Sequence, residues 1–366
     1  VFTLGQSGWV QEAYLKAANA GADDDFGAKV ALSGDVIVVG GFQEDSSQTS
    51  ISGGASGSAN NDATDAGAAY VYRRSNGTWV QEAYLKAPNA ESGDLFAYNV
   101  KVDGDVIVAG ARREDSSQTT ITNSGSIGAN NAAADSGAAY VYRYSSGAWT
   151  WEAYLKAPNS NAEDYFGMSA VSGDAIVVGA YKEDSASTTI LNNGSADSDN
   201  SAADAGAAYV FRYGSGNWSH EAYLKAPNTD AGDNFGFSVD IDGDLIAVGA
   251  PLEDSVGGPV VQRSGNTDNS AADAGTVYMY RRRGSSWELE SQLKAFDGGA
   301  GDKFGWSVSL RDNTVVVGAL YQDGNETIIT NSGTVLSNDS ESDAGAAYVF
   351  IREGSSTATR LRTLAA

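Results

Sequence analysis

The chain repeats a short pattern of alternating apolar and polar positions. In residues 233–254, Val239 and Ile241 alternate with Ser238 and Asp240, the period of two expected for a half-buried strand. An Asp-Gly-Asp step follows, which is turn chemistry, and a second apolar run then leads into Gly-Ala-Pro. Because proline cannot donate to a strand ladder, the pattern predicts a two-stranded hairpin that ends there.

The hairpin pattern occurs five times. Each copy lies in a longer unit that also holds a tryptophan followed by a Glu-Ala-Tyr-Leu-Lys-like run, a long polar loop and an Ala-Ala-Tyr-Val-like run. The units are marked by Trp9, Trp79, Trp149, Trp218 and Trp287, at intervals of 69 or 70 residues. A fixed period of this kind is typical of a solenoid or a propeller.

Four short strands per unit, with no helical period, predict an all-β fold. We name the strands A to D in chain order and expect a β-propeller whose blades are four-stranded antiparallel sheets. The predicted single domain, residues 1–366, comprises an N-terminal strand pair and five blades. Their approximate bounds are 1–17 for the pair and 24–87, 94–157, 164–226, 233–295 and 302–366 for the blades.

The N-terminal pair aligns with strands C and D, the end of a unit. Three interpretations are open: a six-position ring with one position half-built, a pair that packs elsewhere, or a partner that supplies the missing strands. On strand D, Glu152, Tyr154 and Lys156 alternate with Ala153 and Leu155. We therefore expect the three polar residues to share the face of an outer edge strand that resists pairing with other chains.

Composition disfavours several classes of partner and chemistry. With 47 acidic and 23 basic residues the formal net charge is −24, which disfavours nucleic acid and anionic membranes as partners. No cysteine is present, which excludes disulfides and thiolate chemistry, and no apolar run approaches the roughly 18 residues of a membrane span. The chain begins at Val1, and its Gly-, Ala-, Ser- and Asn-rich composition favours a secreted protein, extracellular or at the cell surface, after signal removal.

Acidic residues mark both ends of the long loop between strands B and C. This loop spans 19 or 20 residues in every unit, although its interior varies. Converging carboxylates are the ligands that Ca²⁺ uses, whereas an Asp beside a strand also caps turns. The predicted Ca²⁺ ligands are Asp45, Asp65, Asp115, Asp135, Asp184, Asp204, Asp254, Asp273, Asp323 and Asp343.

Catalysis is not expected. His220 is the single histidine and has no counterpart in the other units, so a Ser-His-Asp triad or a multi-histidine metal site has no support. Two alternatives to a non-enzymatic binding or structural module stay open. A carbohydrate-binding lectin predicts aromatic-lined pockets between blades. A carbohydrate-active enzyme predicts one blade whose acidic pair is buried and unlike the rest.

Phe-Gly at residues 235–236, followed by Gly-Ala-Pro at 249–251, resembles the FG-GAP repeat of integrin alpha-subunit propellers and, more closely, of bacterial extracellular FG-GAP proteins. The resemblance implies a β-propeller, an extracellular setting, and adhesion or recognition through loops on one face. The partner would be an extracellular protein, a glycan or a second copy in a surface assembly. The integrin-type calcium loop lies between strands A and B, where this chain has tight turns such as 242–244. Any Ca²⁺ is therefore expected on the opposite, long-loop face.

Overall fold

The computed structural model describes residues 1–6, 8–127, 130–258, 260–324, 341–353 and 360–365, with the backbone alone for 353 and 360–365. These residues form strands, turns and loops and no helix, which confirms the all-β prediction. No segment of the described chain is a helix long and apolar enough to cross a membrane. The predicted span of the last blade, 302–366, includes 325–340, 354–359 and 366, which lie outside the described residues.

The strands group into an N-terminal pair and five blades. Their bounds are β1 (Phe2–Gly5) and β2 (Gly8–Gln11) for the N-terminal pair; β3 (Lys29–Ser33), β4 (Val36–Gly41), β5 (Ser52–Gly53), β6 (Ala68–Ser75) and β7 (Thr78–Leu85) for blade 1; β8 (Phe96–Asp103), β9 (Val106–Ala111), β10 (Ala138–Ser145) and β11 (Ala148–Leu155) for blade 2; β12 (Phe166–Ser172), β13 (Ala175–Ala180), β14 (Ala207–Gly214) and β15 (Asn217–Leu224) for blade 3; β16 (Ser238–Asp242), β17 (Leu245–Ala250), β18 (Val260–Gln262), β19 (Thr276–Arg283) and β20 (Ser286–Leu293) for blade 4; and β21 (Phe304–Arg311), β22 (Thr314–Ala319), β23 (Ala346–Glu353) and β24 (Arg360–Ala365) for blade 5.

Each unit folds into one antiparallel sheet in which strands A to D pair in chain order. In blades 1 and 4 the short strands β5 and β18, both from the long loop, pair with the outer strand as a fifth member. The N-terminal pair is a separate two-stranded sheet. Its register, with Leu4 opposite Trp9, matches that of Arg74 opposite Trp79 in blade 1. The pair therefore has the geometry of strands C and D.

The core lies between blades. Strand A of each blade contacts strand A of the next, so that β3, β8, β12, β16 and β21 follow one another. Residues of all five line one cavity of about 550 Å³. Apolar clusters fill each blade interface, such as Val108, Val141 and Leu155 of blade 2 against Phe166 and Tyr209 of blade 3. This arrangement confirms the β-propeller prediction.

The prediction that Tyr154 and Lys156 line an exposed outer edge is wrong. Both are buried, at 0% and 1% exposure. A bulge makes Glu152 an extra residue, because Val141 pairs with Ala153 whereas the next residue pairs with Trp151. The extra residue reverses the alternation along the strand, so that Glu152 no longer shares a face with Tyr154. Both faces of the strand are covered, because Tyr154 packs in the cluster shared with blade 1 and Leu155 in the cluster shared with blade 3.

Candidate functional site

The two ends of each long loop are held together by the same hydrogen bond. In blade 2, Oδ1 of Asp115 accepts from the backbone N–H of Asp135 at 2.8 Å, and the Asp115 carbonyl accepts from Ala133 N–H at 2.9 Å. Asp135 has a φ of 54°, a left-handed conformation that Asp tolerates better than most residues. The same carboxylate-to-backbone bond, at 2.8 or 2.9 Å, joins Asp45 to Asp65, Asp184 to Asp204, Asp254 to Asp273 and Asp323 to Asp343.

The structure thus brings the ten predicted Ca²⁺ ligands together in pairs, in the geometry of a loop cap. A cation already lies near two of the closing residues: Arg113 is 3.8 Å from Asp135, and Lys182 is 3.6 Å from Asp204. Among the residues described, no group of three or more His, Cys, Asp or Glu side chains is placed to hold a metal ion. Since Ca²⁺ takes six to eight oxygens, carbonyls and water would have to supply most of the ligands. The Ca²⁺ assignment stays a prediction.

Beside the loop start lies a buried polar network that the sequence analysis missed. In blade 2, Oε2 of Glu114 accepts from Lys156 Nζ at 3.2 Å, and Oε1 accepts from Asn89 Nδ2 at 3.0 Å. Lys156 also donates to the Gly137 carbonyl at 2.6 Å. Glu114 and Lys156 are almost fully buried. A buried ion pair is tolerated only when further hydrogen bonds replace its lost hydration, and the amide and the carbonyl supply them.

The network recurs around the ring. Four blades contain the buried pair: Lys86 with Glu44, Lys156 with Glu114, Lys225 with Glu183 and Lys294 with Glu253, at 2.8 to 3.2 Å. In blade 5, Gln322 stands where the others have Glu, and Asp297 stands where they have Asn. Gln322 Nε2 donates to Asp297 Oδ2 at 3.1 Å. Amide and carboxylate have exchanged places and the hydrogen bond is kept, an exchange that is visible in the sequence once the units are aligned.

A buried Asp ends each connection between blades and faces the loop starts. Oδ2 of Asp94 accepts from the backbone N–H of Glu91 at 2.8 Å. Burial, reinforced by the negative charges of Glu114 and Asp115, outweighs this bond and raises the pKa of Asp94 to about 8. The same causes raise the pKa of Asp164 to about 8 and that of Asp233 to about 7.

These raised pKa values predict that the protein becomes less stable as pH rises from about 4 to about 8. The folded state binds the Asp94 proton more tightly than the unfolded chain does, so this contribution to stability is complete below the unfolded pKa of 3.8 and is lost as pH rises through about 8. The loss is at most about 1.4 kcal/mol per pH unit for each carboxyl. Asp94→Asn, which resembles the protonated form, should flatten the dependence measured by urea unfolding at pH 5 and pH 8. Asp62→Asn, on an exposed loop residue, is the charge-matched control, and equal slopes for the two variants would contradict this assignment.

The glycines of the repeated hairpin meet between blades. A Cβ added to Gly179 in strand B of blade 3 would lie 2.0 Å from the Gly236 carbonyl oxygen in blade 4. A Cβ on Gly110 would lie 1.9 Å from the Gly167 oxygen. The Phe-Gly step of one unit thus rests on the Gly-Ala step of the preceding unit, and only glycine leaves room for the backbone there.

Three of the five repeated tryptophans also join blades. The side chains of Trp149, Trp218 and Trp287 are buried. Each indole N–H donates to a strand D glutamate of the preceding blade: Trp149 to Glu82 at 2.7 Å, Trp218 to Glu152 at 2.8 Å and Trp287 to Glu221 at 3.2 Å. These aromatic residues pack within the scaffold and do not line ligand pockets between blades.

A cavity with a tryptophan in its lining opens at the outer rim of blade 2. It measures about 400 Å³, and its lining includes Trp151, Arg143, Glu152 and Asn123. Arg143 is bonded to Glu152 at 2.5 Å, and the buried indole nitrogen of Trp151 has no hydrogen-bond partner among the described residues. A flat apolar ring beside polar groups is suited to a sugar ring.

A model of the FG-GAP repeat matches five segments, residues 9–72, 79–127, 149–211, 218–280 and 287–350. No curated protein matches the chain significantly. Each matched segment begins at one of the repeated tryptophans, and the five together span most of the chain. The repeats form a propeller-type binding or structural module. Because the five matched segments cover most of the sequence, the chain belongs to the FG-GAP repeat family.

Proposed function

We propose that this chain is a non-catalytic extracellular module that recognises a protein or glycan through the middles of its long loops. The main support is the contrast between the ends and the interior of each long loop. The ends are fixed by one hydrogen bond that recurs in all five loops, whereas the interiors differ in sequence. Variable loops positioned by a rigid scaffold are the usual arrangement of binding proteins.

Contacts along the rim support this proposal because they hold the loops in place. The Asn123 side chain of blade 2 bonds both the N–H and the carbonyl of Trp218 in blade 3, at 2.7 and 3.0 Å. Asn192 of blade 3 does the same to Trp287 of blade 4, at 2.7 and 3.2 Å. A loop ordered before binding loses less entropy on binding. The net charge of −24 favours a partner with basic groups.

Loop exchange tests this proposal. Residues 187–198 of blade 3 replace 118–129 of blade 2, a swap of equal length that keeps the latching asparagine. We expect thermal unfolding to stay within a few degrees of the wild type, and binding to immobilised extracellular proteins and to a glycan array to change at least tenfold for some targets. The reciprocal swap is the matched control. Unchanged profiles for both swaps would contradict recognition by the loop middles.

We also propose Ca²⁺ as the cation at the paired loop ends. A ligand that binds only the folded state at 100 times its Kd adds about 2.7 kcal/mol per site. Addition of Ca²⁺ should therefore raise the midpoint of thermal unfolding, and a chelator should lower it by many degrees. Asp115→Asn should reduce this difference, whereas Asp62→Asn, on an exposed residue within a loop, should not. If neither Ca²⁺ nor the chelator changes the midpoint of thermal unfolding, the Ca²⁺ proposal is wrong and the loop-end aspartates serve only as turn caps.

A second candidate function is carbohydrate binding at the outer rim, favoured by the cavity beside Trp151. Trp151→Ala should then abolish binding on a glycan array. Trp149→Phe, a change at a packed position outside the lining of this cavity, should leave glycan binding unchanged. If the wild-type protein binds no glycan on the array, this candidate function is wrong.

A further inference from the structure

The first blade leaves an apolar face uncovered that later blades bury. Val30 and Leu32 of β3 are each 65% exposed, whereas Val100 and Val239, at the position of Val30, are 3% and 6% exposed. Ile241, at the position of Leu32, is 4% exposed. In blades 2 to 5 the preceding blade covers these positions. Among the described residues, blade 1 follows the N-terminal pair, whose two strands correspond to strands C and D.

The last blade leaves the complementary face uncovered. Val316 of β22 is 39% exposed, whereas Val38 and Val108 at the same position are fully buried. Among the described residues, a Cβ on Gly318 would meet Ser307 alone, whereas one on Gly249 of blade 4 would lie 2.2 Å from the Gly305 carbonyl oxygen of blade 5. Gly318 thus keeps the space for a backbone that the following blade would supply.

The N-terminal pair has a free strand edge beside the same gap. In every blade strand C pairs with strand B on one side and strand D on the other, whereas β1 pairs with β2 alone among the described strands. Phe2 and Leu4 are exposed. A cavity of about 620 Å³ lies between the pair and the first strands of blade 1, and its lining includes Leu15, Phe26 and Val30.

The turns at the centre of the ring are joined by a repeated hydrogen bond. The Gly104 N–H of blade 2 donates to Ser33 Oγ of blade 1 at 3.0 Å, and the Gly173 N–H of blade 3 donates to Asp103 Oδ2 at 2.7 Å. Each turn thus uses a Ser or Asp of the preceding blade as its acceptor. Gly34 holds the corresponding position in blade 1, so the element that precedes it should carry Ser or Asp before a turn glycine.

We propose that this gap binds a β-hairpin of the strand A and B type, from a further FG-GAP repeat, which completes the half-built blade and closes a six-bladed ring. Its second strand would add to the free edge of β1, as β4 adds to β6. Its Phe-Gly step would rest on Gly318, and its apolar residues would cover Val30 and Leu32. Strand addition gives affinity through backbone bonds, while side-chain pockets give specificity.

The shape of the gap favours a hairpin over a second folded copy. The described chain already pairs each of its own A and B strands within a sheet, so an intact copy has no such hairpin to donate. A flat apolar surface would cover Val30 and Leu32 but would neither pair with β1 nor enter the space above Gly318. This inference concerns the open edge of the ring and is independent of the long-loop proposal.

A labelled peptide with the sequence of residues 233–252 tests the proposal by titration into the full chain. We expect saturable one-to-one binding and slower amide hydrogen exchange at Phe2–Gly5. Val30→Asp and Gly318→Ala should each weaken binding at least tenfold, while Val80→Asp, at an exposed position of β7, should not. A peptide with its Phe-Gly step changed to Ala-Val is the ligand control and should not bind.

Three results would overturn the proposal. One is the absence of peptide binding at millimolar concentration. Another is equal binding by the wild type and by both gap variants, with native circular dichroism spectra confirming that the variants fold. The last is concentration-dependent self-association without peptide, measured by sedimentation and lost in Val30→Asp, which would assign the face to a second copy of the chain.

Discussion

Replacing Lys156 with Met is expected to lower the free energy of unfolding by about 3 to 5 kcal/mol, the usual cost of removing one partner of a buried ion pair. Lys156 Nζ lies 3.2 Å from Glu114 and 2.6 Å from the Gly137 carbonyl. Its removal leaves the buried Glu114 carboxylate without a cation and the Gly137 carbonyl without this donor. Urea unfolding followed by tryptophan fluorescence measures the loss.

The matched control removes both charges. Glu114→Gln combined with Lys156→Met should recover much of the stability, because well-packed neutral groups often replace a buried pair at little cost. Blade 5 shows that a glutamine fits at the position of Glu114, since Gln322 occupies it and bonds Asp297 at 3.1 Å. A double variant as unstable as Lys156→Met would mean that the methionine packs poorly and that the unpaired charge contributes little.

The strands and blades could be predicted because their signals are local. Alternation such as that around Val239 and a turn glycine each act within a few residues, and the structure confirms the hairpins that they predict. The period of 69 or 70 residues then repeats these local signals in every unit. Equal loop lengths also indicated that the ends of each long loop, such as Asp115 and Asp135, are held together. The proposed ligand of the loop middles depends on the chemistry of a partner outside this chain, and so neither the sequence nor the fold specifies it.

The buried network escaped prediction because its contacts cross between strands and pass a bulge. Strict alternation places Lys156 with Glu152 on one face. In the structure, Glu152 is the extra residue of a β-bulge, and Lys156 is buried against Glu114, which lies 42 residues away in the sequence. A period of two cannot reveal a bulge. Alignment of the five units reveals the network instead, through the exchange of Asn and Glu for Asp297 and Gln322.

The repeated glycines allow one substitution, Gly to Ala, to be compared at a position that a following blade covers and at an equivalent position that no described blade covers. Gly179→Ala should lower the free energy of unfolding by about 3 kcal/mol or more, because overpacking is costly and the new Cβ would lie 2.0 Å from the Gly236 carbonyl oxygen of blade 4. Gly318→Ala places its Cβ 2.6 Å from Ser307 Oγ, a hydroxyl that can rotate away. Its cost should stay below about 1 kcal/mol, since Ala in a strand restricts the unfolded chain more than Gly does.

Urea unfolding of the two variants separates two explanations of the motif. If the glycine serves its own strand, for example by easing the twist of β13 or β22, both substitutions should cost the same. If it serves the neighbour, only Gly179→Ala should be costly, because blade 3 has a following blade to receive and blade 5 has none among the described residues. The second outcome would make Gly318 a glycine retained for a contact that the five blades do not themselves supply. That is the role the proposed hairpin gives it.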